Sequence, residues 1–262
     1  MTYKLTILGS GAAPGVPSIA GGWGACDPAN EKNRRSRTTS CLEYGNTRIL
    51  IDTSPDLRLQ LLNGGVRRLD GIVYTHAHAD HLHGIDELRE INRAEQKSLD
   101  FFAADETVRE VEERFPYLLA TRGHANNVSS RPSLIANRIE HYRPFMINEL
   151  KVTPIRLLGH NMPTTGYVFN DGEVVYIADY REIEEEAFSH IRQPVKLMVV
   201  PLTTVEGGRY HAGFAEIMRD VERIKPERAV INHMAIECDY ERIRRMMPEK
   251  VEPAFDGMTL FF

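Results

Sequence analysis

The strongest constraint on the fold lies in residues 72–84, which read IVYTHAHADHLHG. Four β-branched or aromatic residues predict a buried strand, and metal-capable side chains follow it directly. His76 and His78 are two positions apart, so on an extended backbone they point the same way and can share one ion. Asp80 and His81 come in the next turn, where they can face a second site. The spacing therefore predicts a metal site at the end of a buried strand.

The donor types narrow the choice of metal. Imidazole nitrogen suits zinc, iron, manganese or nickel, and the carboxylate of Asp80 adds a harder oxygen donor, which favours zinc, manganese or iron. A single histidine in a loop would carry little information. Four metal-capable residues within six positions, followed closely by Gly84, are typical of a metal centre.

The composition is that of an ordinary globular protein. The chain has 262 residues, of which 42% are hydrophobic and 26% are charged, and no stretch has the composition of a linker. This length can bury a substantial core, so we predict one domain over residues 1–262. The formal net charge of -5 argues against a surface that coats nucleic acid, and no stable nucleic-acid complex is expected.

Neither export nor membrane insertion is predicted. Cys26, Cys41 and Cys238 show no paired spacing, which suits a reducing compartment. Residues 1–9 lack the basic segment, long apolar core and cleavage site of a signal peptide. No apolar run approaches the ~20 residues that span a bilayer. We therefore expect a cytoplasmic protein without a membrane partner.

An irregular stretch at residues 21–37 ends in three closely spaced arginines. It can be a solvated loop, or a rim over the active site in which Arg34, Arg35 or Arg37 binds a substrate phosphate. Both interpretations stay open. If the second holds, alanine at these positions raises KM for an anionic substrate, and unchanged KM values would contradict it.

Three later predicted strands also lead into metal-capable residues. They are residues 152–158 before His160, residues 174–178 before Asp179, and residues 229–232 before His233. A carboxylate at the end of an apolar strand is costly unless a partner neutralises it, and a metal ion is one such partner. Each residue alone is a weak candidate ligand, and their shared position at strand ends makes the set worth testing.

His211 stands just before a predicted helix whose apolar residues recur at positions 214, 217, 218, 221 and 224. Two interpretations are open. The ring can cap the helix or lie on the surface, or it can reach over the metal site as a catalytic acid. We favour the second, because the residue follows the end of a predicted strand at residues 195–200.

Residues 116–147 are less periodic than the rest of the chain, with prolines at positions 116, 132 and 144. Long loops in compact domains are often functional, so this segment can cover the active site. His124 and His141 lack ligand spacing, and we interpret them as loop or packing residues.

Together these motifs resemble the metallo-β-lactamase superfamily. The resemblance covers nearly the whole chain and rests on the opening LGSG, the central HAHADH, a GH ahead of GYVF, and a C-terminal stretch from DY to PAFDG. Within the superfamily the pattern is most similar to the PhnP-like cyclic-phosphate phosphodiesterases. The resemblance implies an α/β fold, the αββα sandwich, in which two mixed sheets carry outer helices.

The resemblance also implies a role for each candidate residue. The implied ligands are His76, His78 and His160 for one ion, Asp80, His81 and His233 for the other, and Asp179 between the two. The two divalent ions would be zinc or manganese, with a bridging hydroxide as the nucleophile. Asp80 would also orient that nucleophile, and His211 would match the catalytic histidine of the family.

The implied activity is that of a binuclear phosphodiesterase acting on small cyclic ribose phosphates or nucleotides, and the resemblance suggests a homodimer. A thioester or lactone hydrolase and a non-catalytic metal-binding accessory protein are the alternatives with the same fold. A transfer-RNA 3′ endonuclease is less expected, because the chain is acidic and has no basic, Gly-Pro-rich arm.

Two features depart from the PhnP-like pattern. Phosphonate-type members carry a Cys-rich structural zinc site near the N-terminus, and only Cys26 stands in that region here, so we expect no such site. Residues 201–209 also differ from the usual spacing ahead of the catalytic histidine, which bears on His211 more than on any ligand.

Overall fold

The computed structural model describes residues 2–121 and 131–262. The strands are β1 (Tyr3–Gly9), β2 (Thr39–Tyr44), β3 (Thr47–Ile51), β4 (Gly71–Val73), β5 (Leu99–Ala104), β6 (Leu134–Ile139), β7 (Phe145–Ile147), β8 (Leu150–Leu158), β9 (Thr164–Phe169), β10 (Val174–Tyr176), β11 (Glu182–Ile183), β12 (Leu197–Pro201), β13 (Arg228–Asn232), β14 (Val251–Pro253) and β15 (Met258–Phe261). The α-helices are α1 (Leu57–Asn63), α2 (Ala79–Leu82), α3 (Leu88–Glu95), α4 (Asp105–Arg114), α5 (Phe214–Ile224) and α6 (Tyr240–Met246). Among these helices we find none with the length and apolar character that a bilayer crossing requires.

The strands form two sheets. In the first the order is β15-β1-β2-β3-β4-β5-β6, with antiparallel pairs as far as β3 and parallel pairs from β3 to β6. In the second the order is β11-β8-β9-β10-β12-β13-β14, and β7 also pairs with β8. The pairs from β10 to β14 are parallel and the others are antiparallel. Both sheets are therefore mixed, as predicted.

Three hydrophobic clusters separate the layers. One lies between the sheets and includes Val73 of the first sheet and Val199 of the second. Another packs α1, α3 and α4 against the outer face of the first sheet, where it includes Ile72. The third packs α5 and α6 against the outer face of the second sheet. Neighbouring residues of β4 thus face opposite layers, as the period of two in a strand requires, and the predicted αββα sandwich is confirmed.

The turn between β9 and β10 shows why the sequence NDG predicts a hairpin. Asn170, Asp171 and Gly172 have φ values of 45°, 62° and 132°, in a region that glycine, and to a lesser degree asparagine and aspartate, tolerate. A Cβ at Gly172 would lie only 2.2 Å from the carbonyl oxygen of Arg192. The flanking strands pair antiparallel across this turn and form a hairpin.

Strand β4 ends two residues earlier than the sequence predicts. We expected a strand over residues 72–75, but Val73 is its last residue. The amide of Thr75 donates to Asp52 Oδ1 at 2.8 Å and not to a neighbouring strand. The side chain of Asp52, which directly follows β3, thus takes the place of a strand partner where the backbone enters the histidine motif.

Candidate metal centre

The carboxyl ends of six strands meet where the candidate ligands lie. Strands β3 and β4 are parallel neighbours in the first sheet. In the second sheet β10, β12 and β13 are parallel, and β8 runs in the same direction as β10 because both are antiparallel to β9. These strands lead into Asp52, His76, His160, Asp179, Thr203 and His233. Their common direction explains how residues far apart in sequence reach one place.

The first group of donors consists of His76, His78, His160 and Asp179, whose ligand atoms lie within 4.8 Å of one another. His78 Nδ1 is 3.0 Å from His76 Nε2 and 3.1 Å from His160 Nε2. Three ring nitrogens therefore face a common point. A neutral imidazole presents either a lone pair or one N–H there, so a shared cation satisfies all three nitrogens better than hydrogen bonds among them.

His160 is held with its lone pair toward this point. Its Nδ1 lies 3.2 Å from the carbonyl oxygen of Tyr210, and because a carbonyl only accepts, Nδ1 carries the ring proton. Gly159 makes the turn from β8 with φ 79°. A Cβ there would lie 2.4 Å from Arg181 Cβ, so the turn requires glycine.

The second group of donors consists of Asp80, His81 and His233. Helix α2 carries the first two. Asp80 Oδ2 lies 3.4 Å from His81 Nε2 and 3.2 Å from His233 Nε2. His233 has a left-handed backbone with φ 56°, which costs about 1–3 kcal/mol for a residue other than glycine. The surrounding structure therefore maintains the bend that directs this ring into the cluster.

Asp179 lies between the two groups. Its Oδ2 is 4.0 Å from His76 Nε2 in the first group, and 3.5 Å from His81 Nε2 and 3.4 Å from His233 Nε2 in the second. The structure thus brings all seven candidate ligands together, in the two sets that the family resemblance implies. Each set contains imidazole nitrogen and carboxylate oxygen.

Two buried atoms of this cluster make no hydrogen bond. They are His81 Nε2 and Asp179 Oδ1. Leaving such atoms unsatisfied costs about 1–3 kcal/mol each, and binding of a cation to the cluster would offset that cost. The mixture of imidazole and carboxylate donors fits zinc or manganese. The residues present therefore fit the divalent metal binding that the fold implies.

Charges are balanced inside the cluster. Burial alone would raise the pKa of Asp179, but the neighbouring His233 and His81 outweigh it and hold the pKa well below its usual range. Burial would also raise the pKa of Asp80. The neighbouring His81 and His233 outweigh the effect of burial and lower this pKa. Burial lowers the pKa of His160 to about 4. Asp179 and Asp80 as ionised carboxylates and His160 as a neutral imidazole are in the states that metal ligation requires.

Asp52 supports two of the rings from outside the cluster. Its carboxylate accepts the hydroxyl proton of Thr75 at 2.8 Å and Nδ1–H of His81 at 2.7 Å. Because Thr75 gives its only hydroxyl proton to Asp52, its oxygen accepts Nδ1–H of His76 at 3.0 Å. Both rings are thereby held with Nε2 as the atom that faces the cluster, which is the usual role of a carboxylate behind a metal-binding histidine.

His211 lies beside the cluster and not at the cap of α5. Its ring centre is 5.0 Å from that of His160 and 6.1 Å from that of His233, and burial lowers its pKa. The N-cap of α5 is Gly213, so capping is not the role of His211. The ring borders a cavity of about 360 Å³ whose wall also includes candidate metal ligands. The lining includes Ala12, Ala13, Pro14, His78, Asp80, Asn161, Thr203, Tyr210 and Glu237.

Comparison with known proteins agrees with this architecture. A family model described as a beta-lactamase superfamily domain matches residues 47–234, which run from β3 to just beyond His233. The chain belongs to the β-lactamase superfamily. The matched segment contains every candidate metal ligand and His211.

Three relatives refine the placement within the β-lactamase superfamily. A solved diphosphatase of the PhnP family has a TM-score of 0.88 and 26% identity, and the match covers 100% of this chain and 98% of that one. An octanoyltransferase from Porphyromonas gingivalis is 26% identical over 257 residues, which are 97% of this chain and 51% of that protein. A ribonuclease Z from Bradyrhizobium diazoefficiens is 42% identical over 88 residues, 33% of this chain and 24% of that protein.

These matches confirm the predicted PhnP-like, metallo-β-lactamase-fold hydrolase class. The chain spans about half the length of the octanoyltransferase, and the 88 residues that match the ribonuclease Z cover about a quarter of that protein. Neither similarity therefore assigns the activity of the longer protein to this chain.

The three arginines of this β-lactamase superfamily member border a cavity other than the one beside His211. Arg34, Arg35 and Arg37 border a space of about 400 Å³ together with Asp56. Arg35 is only 2% exposed and donates to Asn33 Oδ1 at 3.1 Å. Arg37 donates to Asp56 Oδ1 at 2.9 Å. The side chains of Arg35 and Arg37 are engaged by the protein itself, and substrate binding by the arginines stays a prediction.

Two further histidines, His124 and His141, lie in residues 116–147 and are interpreted from sequence as loop or packing residues. His141 Nε2 lies 3.0 Å from Thr165 Oγ1, and the residue is not part of either donor group. This position agrees with a packing role. His124 lies outside the described residues, as does the middle of the segment that we expected to cover the active site.

Two residues of the site had no role in the sequence analysis. Asp52 carries a usable signal, because it is, like Asp179, a carboxylate at the end of an apolar strand. Thr203 carries none, since threonine is common in loops. Its hydroxyl lies 3.2 Å from Nδ1 of His211 and 3.2 Å from Nδ1 of His233.

Proposed function

We propose that this protein hydrolyses phosphodiester bonds in small substrates, such as cyclic ribose phosphates or nucleotides, with two divalent ions of zinc or manganese. The observation that carries the proposal is the pair of donor groups that share Asp179 at the wall of one cavity. The 26% identity to a PhnP-family diphosphatase over the full length of both chains supports a phosphoryl substrate.

The seven donors described above would hold the ions. His76, His78 and His160 would bind one, Asp80, His81 and His233 the other, and Asp179 would contribute to both. When bound, divalent ions supply an activated water nucleophile and neutralise charge on a phosphoryl oxygen. Asp52 and Thr75 keep the rings of His76 and His81 in the orientation that this binding needs.

Two side chains of the cavity would act on the substrate. Asp80 has a lowered pKa and lines the cavity, so its carboxylate can accept a hydrogen bond from the attacking water and orient it. His211 borders the same cavity as Asp80, and its ring can donate a hydrogen bond to the developing oxyanion or to the leaving oxygen. Neither role requires a residue outside the cavity.

The size and charge of the site favour a small substrate. The cavity of about 360 Å³ is lined in part by Ala12, Ala13 and Pro14, and its volume lies within the usual range for small-molecule sites. The formal net charge of -5 gives no general attraction for RNA. The 88-residue similarity to a ribonuclease Z nevertheless makes a transfer-RNA precursor a substrate to include in the test.

A thioester or lactone hydrolase is the second candidate. The similarity to an octanoyltransferase extends over 97% of this chain, and an acyl substrate would use the same nucleophile. It ranks below phosphodiester hydrolysis because that match covers 51% of the longer protein. A non-catalytic metal-binding role would be the conclusion if neither class of bond were cleaved.

The deciding experiment strips the protein of metal with a chelator and reloads it with zinc or manganese. An activated aryl phosphodiester, 2′,3′-cyclic nucleotides, a transfer-RNA precursor, a lactone and an octanoyl thioester are then offered in parallel. We expect turnover of the phosphodiesters that requires reloading and falls strongly in His211→Ala with metal content unchanged. The matched control is His190→Ala, whose ring stacks on Tyr142 away from the cavity. Full metal loading with turnover of the acyl substrates alone would refute the proposal.

A further inference from the structure

The hydroxyl of Thr203 joins a candidate metal ligand to the histidine that faces the substrate cavity. Thr203 Oγ1 lies 3.2 Å from Nδ1 of His233 and 3.2 Å from Nδ1 of His211. The residue follows β12, and its carbonyl oxygen accepts the amide of Ala235 at 3.2 Å and the thiol of Cys238 at 3.5 Å. These contacts tie Thr203 to the segment that follows His233, and its hydroxyl lies between the two rings.

A hydroxyl group has one proton to donate, so it cannot donate to both rings. One ring must give a proton to Oγ1, and the other can accept the proton of Oγ1. The alternative in which both rings donate leaves the hydroxyl proton without an acceptor, since no other hydrogen bond from Oγ1 is found in residues 2–121 and 131–262. The protonation of one ring is therefore coupled to that of the other.

His233 decides the direction of this chain of hydrogen bonds. Its Nε2 lies 3.2 Å from Asp80 Oδ2 and 3.4 Å from Asp179 Oδ2, inside the second donor group. With Nε2 used as a ligand atom, the ring proton of His233 lies on Nδ1 and is donated to Thr203. The hydroxyl proton of Thr203 is then donated to Nδ1 of His211. That nitrogen accepts, so the ring proton of His211 lies on Nε2.

Resting on the proposed function, we propose that Thr203 is a positioning residue that sets the tautomer of His211, so that Nε2–H is presented to the substrate whenever His233 binds metal. A donor is useful on the cavity side of the ring only if the proton is there. The loop around His211 supports this placement. Gly207 has φ 71°, and a Cβ there would lie 2.5 Å from the amide nitrogen of Gly213, so the loop is closely packed.

The test reads the tautomer directly. Zinc-loaded protein labelled with ¹⁵N-histidine is examined by long-range proton–nitrogen correlation, which distinguishes protonated from unprotonated ring nitrogens, and His211→Gln assigns the signal. We expect the Nε2–H form in the wild type and in Thr203→Ser, and loss of a single tautomer in Thr203→Val. Thr204→Val is the matched control, because its hydroxyl bonds the carbonyl oxygen of Gly207 at 3.3 Å, and it should leave the tautomer unchanged.

Kinetics provide the second measurement. Thr203→Val should lower kcat about 10- to 100-fold with little change in KM, and Thr203→Ser should restore most of it. A wild-type His211 with its proton on Nδ1 would overturn the inference, as would an Nε2–H signal that persists in Thr203→Val. The wild-type spectrum decides even if Thr203→Val does not fold. An Nε2–H signal without phosphodiester turnover would refute the proposed function and leave the tautomer assignment intact.

Discussion

Asparagine at position 52 is expected to weaken metal binding, although Asp52 is not a candidate ligand. Its carboxylate accepts three hydrogen bonds, two from Thr75 at 2.8 Å and one from His81 Nδ1 at 2.7 Å. An amide has one acceptor oxygen where a carboxylate has two, so at least one of these donors would meet an N–H group. The substitution keeps the shape of the side chain and removes its support for the rings.

Two effects set the size of the change. Loss of a partner behind a metal-binding histidine lowers metal affinity about 10- to 100-fold, which is about 1.4–2.8 kcal/mol. Hydrogen bonds to a charged group contribute about 1.5–3 kcal/mol each to folding, so two lost bonds would lower the free energy of unfolding by about 3–6 kcal/mol. Asp52 is 1% exposed, and solvent screens these bonds very little.

Zinc competition against a chromophoric chelator measures the affinity, and urea unfolding in the presence of chelator measures the stability of the metal-free protein. Asp70→Asn is the matched control, because Asp70 accepts the amide of Arg48 at 2.8 Å just before β4 begins, at the other end of that strand from the histidine motif. Equal zinc affinities for Asp52→Asn and the wild type would refute the reasoning.

Three further predictions test the site and the fold. Asp179→Asn should release metal from both donor groups, because Asp179 Oδ2 lies 3.4 Å from His233 Nε2 and 4.0 Å from His76 Nε2. A wild-type metal content in this variant would contradict the prediction. Gly172→Ala should lower the free energy of unfolding in urea by more than about 1 kcal/mol, because φ is 132° and a Cβ would meet a carbonyl oxygen. Equal unfolding midpoints for the variant and the wild type would contradict this prediction. Burial raises the pKa of Asp220, so ionisation opposes folding and stability falls as pH rises through that pKa; Asp220→Asn should remove this decline in unfolding measurements across the acid range.

The arginines illustrate what linear sequence cannot decide. Their clustering at the end of a long irregular stretch indicates a basic patch, and phosphate binding follows naturally from that chemistry. The structure places Arg35 and Arg37 against Asn33 and Asp56, around a cavity other than the one that His211 borders. Which side of a loop a side chain faces depends on contacts with segments distant in sequence.

The length of β4 illustrates the same limit at the level of secondary structure. Tyr74 and Thr75 have strand propensity and continue the apolar run. The strand nevertheless ends at Val73, and the amide of Thr75 donates to the side chain of Asp52, the residue that directly follows β3. A local preference was overridden by a hydrogen bond that only the folded chain can form.

The sequence by itself predicted the layered sandwich, through its family resemblance, and the candidate ligands. Apolar runs that stop at His160, Asp179 and His233 indicate buried strands that end in polar groups, and such groups need a partner. The HxHxDH spacing indicates that this partner is a metal ion. Only the tertiary structure decided how the ligands are held. The roles of Asp52 and Thr203 depend on hydrogen bonds of 2.7–3.2 Å to histidines that lie 29 and 30 positions further along the chain. A hydroxyl or carboxylate acquires such a role from where folding places it, because hydrogen bonding acts over one atomic contact and leaves no periodic trace in sequence.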